Sequence, residues 1–161
     1  MDPTAAPTEA SPAIASRLSG ANSVAGLLVD TGFLVALYRR NDELHQSALR
    51  FLQGNRERLI TVPPVIVEAC HFLTIEARVH LLQWITREGL VVVEIPQAAY
   101  SKLGALMQKY RNLDCDLADV ALLWLAAETR QRRILTVDER DFSTYRLPDR
   151  KRLQLVDWMG E

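Results

Sequence analysis

Five short apolar runs recur along the chain, separated by stretches with helical patterning, and this alternation restricts the fold more than any other feature. The runs are Leu27-Leu28-Val29, Leu59-Ile60-Thr61-Val62, Leu90-Val91-Val92-Val93, Ile134-Leu135-Thr136-Val137 and, more weakly, Leu153-Gln154-Leu155-Val156. The first four are continuous rather than alternating, and turn signals (Gly, Pro or Asp) bound them, as expected of strands buried on both faces. Between the runs, apolar stripes at helical spacing predict helices over 33–38, 43–53, 63–73, 78–87, 96–110 and 117–130. Pro63-Pro64 and Pro96 supply start signals, and Gly54 and Gly89 supply stops. Strands alternating with helices imply an α/β fold with a mainly parallel sheet of four to five strands and helices over both faces.

Residues 1–26 are rich in Ala, Pro, Ser and Thr and lack a basic start leading into an apolar segment, so they do not read as a signal peptide. Such a stretch buries too little apolar surface to offset its ordering entropy. The expected organisation is a disordered tail over 1–26 and one domain over 27–161, in keeping with a chain of 161 residues. No apolar run approaches a membrane span, and a cytoplasmic protein is expected. Cys70 and Cys115 lack metal-ligand spacing and are expected to be free thiols. The net charge of -1 gives no global case for a polyanionic partner, so any such case must rest on local patches. One candidate is 130–152, with eight basic residues against four acids; a solvated helix end and loop is the competing explanation.

Open parallel sheets place ligands beyond the carboxyl ends of their strands. Asp30 and Asp138 each directly follow an apolar run. Asp119 is the only charge between Leu117 and Ala127, and Glu68 the only one between Val65 and Phe72. Each therefore sits near the start of a helix that reads as apolar, and buried, almost all round. A helix dipole offers an acid about 0.3–1 kcal/mol, whereas burying an unpaired carboxylate costs several. These acids are expected to face a wet cleft, a basic partner or a cation. Helix N-termini share the sheet edge with strand carboxyl ends, so the four acids can converge there.

Mutual repulsion then raises their pKa values unless positive charge intervenes. A cluster of hard oxygen ligands suits Mg²⁺ or Mn²⁺. A cation held in this way supports in-line hydrolysis of a phosphodiester. Thr31 and Thr136, each beside an acid, are candidates to orient the ligands by hydrogen bonds; ordinary turn and strand positions explain them equally well. Asp114 or Asp116 is expected to cap the helix that carries Asp119.

The pieces Leu28-Val29-Asp30-Thr31-Gly32-Phe33, Val65-Ile66-Val67-Glu68, Asp116-Leu117-Ala118-Asp119-Val120 and Ile134-Leu135-Thr136-Val137-Asp138, with Asp141-Phe142 after them, resemble in order and spacing the PIN-domain nucleases. Within these, the VapC-type toxins of toxin–antitoxin pairs are the most similar group. The resemblance covers about 27–156. It implies a three-layer α/β/α domain, Mg²⁺- or Mn²⁺-dependent RNA cleavage, homodimerisation and a cognate antitoxin. The family's acidic quartet maps onto Asp30, Glu68, Asp119 and Asp138, with Asp116 and Asp141 able to assist or replace a neighbour. The long N-terminal stretch and the lack of net positive charge depart from the pattern.

Other signals point elsewhere and are weaker. Val29-Asp30-Thr31-Gly32 matches an aspartic-protease tetrapeptide, which requires two copies in an all-β fold. Glu68 and His71 form a single E-x-x-H, whereas di-iron bundles carry two. Aspartyl phosphotransfer on Asp30 lacks the second Asp two residues on. A PIN-like RNA- or protein-binding module without catalysis has no need of the quartet. Arg39-Arg40 and Lys109-Tyr110-Arg111 are either solvated helix ends or parts of an RNA path.

Overall fold

The computed structural model describes residues 26–160; residues 1–25 of the tail expected to be disordered lie outside them, whereas Gly26, placed at its end, opens the first strand. The sheet has five strands: β1 (Gly26–Val29), β2 (Arg58–Thr61), β3 (Val91–Val92), β4 (Arg133–Leu135) and β5 (Gln154–Leu155), all parallel in the order β3-β2-β1-β4-β5. Seven α-helices accompany it among the described residues. They are α1 (Thr31–Tyr38), α2 (His45–Gly54), α3 (Pro63–Phe72), α4 (Ile75–Thr86), α5 (Tyr100–Lys109), α6 (Leu117–Thr129) and α7 (Glu139–Thr144).

The chain steps outward from β1 to β3, then returns across β1 to β4 and β5. Right-handed crossovers in opposite directions lie on opposite faces of a sheet, which gives the three-layer α/β/α arrangement. The reversal falls between β1 and β4. Their carboxyl ends border the crevice where ligands bind in such sheets, and Asp30 extends that ladder by donating its N–H to the Leu135 carbonyl at 3.0 Å.

β1 is wholly buried, as its unbroken apolar run requires, and α6 buries eight consecutive or near-consecutive residues from Ala118 to Ala126. Helix α3 departs from expectation. Only Val65 and Ala69 are buried, while Val67 is 72% and Phe72 52% exposed. Glu68 therefore lies on a helix with one open side, and the argument from all-round burial holds for Asp119 alone.

Three boundaries also differ. The helix expected from Pro96 begins as a 3₁₀ turn (Gln97–Ala99) before α5. The fourth strand stops at Leu135, so Thr136 and Val137 separate it from Asp138. Asp138 instead caps α7, a helix not anticipated from sequence. Gly32 allows this loop to close on α1, because a Cβ there would overlap the side chain of Val137.

Candidate active site

A cleft of about 560 Å³ opens at the carboxyl edge of the sheet, over β1 and β4. Asp30 supplies its floor as the N-cap of α1, and Glu68 reaches it from α3. Asp116 and Asp119 enter from the start of α6, and Asp138 and Asp141 from the start of α7. Thr31 also lines the cleft. Thr136 alone of the eight expected residues lies behind it, buried beneath Asp30. Asp42 and Asp114, outside the expected set, add two further carboxylates, and among the described residues no Lys or Arg lines the cleft.

Local hydrogen bonds aim these groups. The Thr31 N–H donates to Asp30 Oδ1 at 2.7 Å, and the Thr136 hydroxyl donates to Asp30 Oδ2 at 2.7 Å. The Thr31 hydroxyl donates to Glu68 Oε2 at 2.8 Å, so one threonine orients two acids. Thr136 is itself anchored: its carbonyl accepts from the buried Trp158 indole at 3.1 Å, and its hydroxyl oxygen accepts from the Asp138 N–H at 2.9 Å. Both threonines are thus tied to the carboxylates and are not idle turn or strand positions.

At α6 the capping expectation resolves onto Asp116, whose Oδ1 accepts from the Asp119 N–H at 2.9 Å, while Asp114 ends the preceding 3₁₀ turn in a left-handed conformation (φ 53°). Asp119 Oδ2 accepts from the Asp116 N–H at 3.4 Å and from the Tyr145 hydroxyl at 3.0 Å. Tyr145 was not anticipated from sequence. It is fully buried just beyond α7, packed edge-on against Tyr110 and Phe142. Tyr110 in turn clamps the next residue, its hydroxyl accepting the Arg146 N–H at 2.8 Å and donating to the Arg146 carbonyl at 3.1 Å. Nothing in local sequence marks Tyr145, because its partner lies 26 residues away.

The electrostatics reflect burial and crowding. Asp30 is 7% exposed, and burial pushes its carboxyl from 3.8 up to about 6; Glu68 and Asp116 add to the rise, while the Thr136 and Thr31 donors oppose it. Asp119 rises to about 7 through burial, then through the charges of Asp116 and Asp30, against the pull of Tyr145. Burial and Asp116 also raise Glu68. Asp116 thus acts on all three, a more central place than the sequence suggested, whereas Asp138 is exposed at the rim.

The donor chemistry fits a hard divalent cation: concentrated carboxylate oxygen, no competing cation among the described lining residues, and carboxyls whose burial and crowding raise their proton affinity. An ionised carboxylate has about four lone-pair sites, so Asp30 keeps acceptor capacity beyond its two hydrogen bonds. Among the described residues no three potential ligands already surround one point.

Similar proteins agree with this architecture. The chain resembles Ribonuclease VapC26 of Mycobacterium tuberculosis, at 23% identity over 124 residues, covering 74% of this chain and 92% of the relative. Its fold matches the crystal structure of Mycobacterium tuberculosis VapC20, described as a Sarcin-Ricin loop cleaving toxin. That match has a TM-score of 0.66 and 16% identity, over 71% of this chain and 92% of the other. The PIN domain family model matches residues 27–147, from β1 past the end of α7. By that match, which spans most of its length and every carboxylate of the cleft, the chain belongs to the PIN-domain family.

Proposed function

We propose that this chain is a divalent-metal-dependent endoribonuclease and the toxin of a toxin–antitoxin pair, acting in the cytoplasm. The observation that carries the reading is the cation-free, acid-lined cleft at the β1/β4 reversal, with Asp30 held on both oxygens. Asp30 and Asp119 are the principal ligands proposed for Mg²⁺ or Mn²⁺, with Glu68, and Asp138 at the rim, completing the set. Asp116 and Asp141 cap their helices and add negative charge. When bound, such an ion supplies Lewis-acid neutralisation of the phosphodiester and acidification of water.

The chain's own residues do the rest. Thr31 and Thr136 prevent Asp30 from rotating, Thr31 sets Glu68, and Tyr145 with the Asp116 N–H sets Asp119. Preorganised carboxylates of this kind lower the cost of assembling the reacting geometry. Water then adds to phosphorus as the bond to the leaving ribose oxygen breaks. Holding both Asp30 oxygens in hydrogen bonds suits a ligand better than a phosphate-accepting nucleophile, and so disfavours aspartyl phosphotransfer.

A second copy is the proposed partner for α4, where Ile75, Val79 and Leu82 form an exposed apolar stripe at helical spacing. The names of the VapC relatives support RNA as substrate and an antitoxin as inhibitor. The decisive experiment is cleavage of a structured RNA pool by the full chain with Mn²⁺, with EDTA, and by Asp30→Asn. Metal-dependent cleavage lost in the variant is expected; equal cleavage in all three would refute the proposal.

A further inference from the structure

RNA is a polyanion whose affinity for proteins comes largely from Lys and Arg on its phosphates. The cleft offers it eight carboxylates and no cation of its own. The strand must therefore be held by surface outside the cleft. Residues 130–152 are the obvious source from sequence, but three of their eight cations are engaged within the domain. Arg132 pairs with Asp149 and Arg133 with Glu57, both at 2.6 Å, and Arg146 directs Nη1 at three backbone carbonyls. Arg130 and Arg132 also follow the C-terminus of α6, at the sheet edge away from the carboxylates.

A hollow of about 650 Å³ adjoins the cleft at Phe72, which lines both. Arg39, Arg40 and Asn41, immediately after α1, line it together with Glu76 and His80 of α4. Both arginines are exposed, and neither enters an ion pair among the described residues. Phe72 is half exposed, and its ring is braced edge-on by His71 at 5.3 Å, which leaves aromatic surface for a base. Helix α1 sets the spacing. Asp30 caps its start and Arg39 its end, so nine helical steps separate them by about 13 Å, a few nucleotides along a strand. The stripe of Ile75, Val79 and Leu82 occupies a different face of α4 from Glu76 and His80, so a second copy there leaves the hollow open.

We propose that this hollow binds the single-stranded RNA flanking the scissile bond, with Arg39 and Arg40 on its phosphates and Phe72 stacked on a base. The proposal rests on the nuclease reading above. Its test is single-turnover cleavage of single-stranded RNA in Mn²⁺ across a salt series, which separates binding from chemistry. The variants are Arg39→Ala/Arg40→Ala, Phe72→Ala and, as a control for charge alone, Arg56→Ala/Arg58→Ala at the opposite sheet edge. The arginine pair is expected to raise the half-saturating concentration about tenfold and to flatten the salt slope by about two. Phe72→Ala is expected to weaken binding several-fold with an unchanged salt slope. Maximal rate and calorimetric Mn²⁺ affinity stay at wild-type values in the arginine variant.

Unchanged binding and slope in the arginine variant would overturn the subsite and leave the hollow to a protein occupant. An equal loss in the control would overturn it as well, since the effect would then be long-range. A wild-type protein that binds Mn²⁺ but cuts no RNA would remove the nuclease reading and this inference together, an outcome distinct from either of the others.

Discussion

Asp30 and Asp138 carry the same signature in sequence, an acid at the end of an apolar run, and the fold treats them differently. Asp30 directly follows β1, is buried, and has both oxygens fixed by donors. Asp138 stands three residues beyond β4, exposed, and uses Oδ1 to accept the Asp141 N–H at 3.0 Å as a helix cap. One hydroxyl joins them: Thr136 donates to Asp30 and accepts from the Asp138 backbone. Desolvation raises the proton affinity of Asp30, while water and a helix N-terminus serve Asp138. Position after a strand thus brings both carboxylates to the cleft, and burial decides which one is held rigidly.

The largest expected effect separates the two directly. Asp30→Asn is expected to reduce cleavage on the order of 10³-fold, the scale of losing a preorganised charge-stabilising group, with the fold retained by circular dichroism. Asp138→Asn is expected to cost about tenfold or less. Equal losses in the two, measured under one metal concentration, would break the contrast.

Next in size are the groups that aim the acids. Tyr145→Phe keeps the ring packing and removes only the donor to Asp119, so Mn²⁺ affinity by calorimetry is expected to fall about 10–100-fold. An unchanged affinity would mean that the hydroxyl serves packing alone. Thr136→Val removes the donor from a buried carboxylate, at a cost of about 1–3 kcal/mol in metal-present stability. The same variant lowers cleavage through Asp30 and also frees the Asp138 N–H, so a near-additive double variant with Asp138→Asn would show that the two acids act separately. Strong coupling in that double variant would show that the two acids act as one unit.

The smallest effect is a pH dependence. Folded Asp30 and Asp119 hold their protons up to about 6 and about 7, against 3.8 for the free group. Between about pH 4 and 7 the folded, metal-free chain therefore binds more protons than the unfolded one. Its stability is fully present at the acid end of that window and is lost as pH rises through the folded values. The shift at Asp30 corresponds to a loss on the order of 2–3 kcal/mol over the whole window, about half of it between pH 5 and pH 8, to be read from urea unfolding in EDTA at those two values. Asp30→Asn is expected to flatten the curve. A wild-type chain that gains stability toward pH 8 in EDTA would contradict the burial account of Asp30.

The strands, their parallel direction and six of the eight carboxylates of the cleft were legible because each rests on near neighbours in sequence. An unbroken apolar run demands burial on both faces, and an acid at its end must lie at the sheet's carboxyl edge. Asp119 stood out for the same reason, as a lone charge on a helix that is buried all round. Glu68 was found by a weaker route: its helix has an exposed side that the apolar composition concealed, because Val67 and Phe72 face outward. Helix α7 escaped notice because its six residues carry almost no apolar periodicity.

Sequence alone picked out six of the eight acids that line the cleft, since strand ends and helix starts follow from local patterning. Only the tertiary structure decided how each acid is held and how strongly it keeps its proton. The donors come from across the chain, with Thr136 lying 106 residues from Asp30, Thr31 37 from Glu68 and Tyr145 26 from Asp119. Desolvation likewise depends on every element packed over the carboxylate. Neither quantity has a local signature, because both are set by what the fold brings into contact.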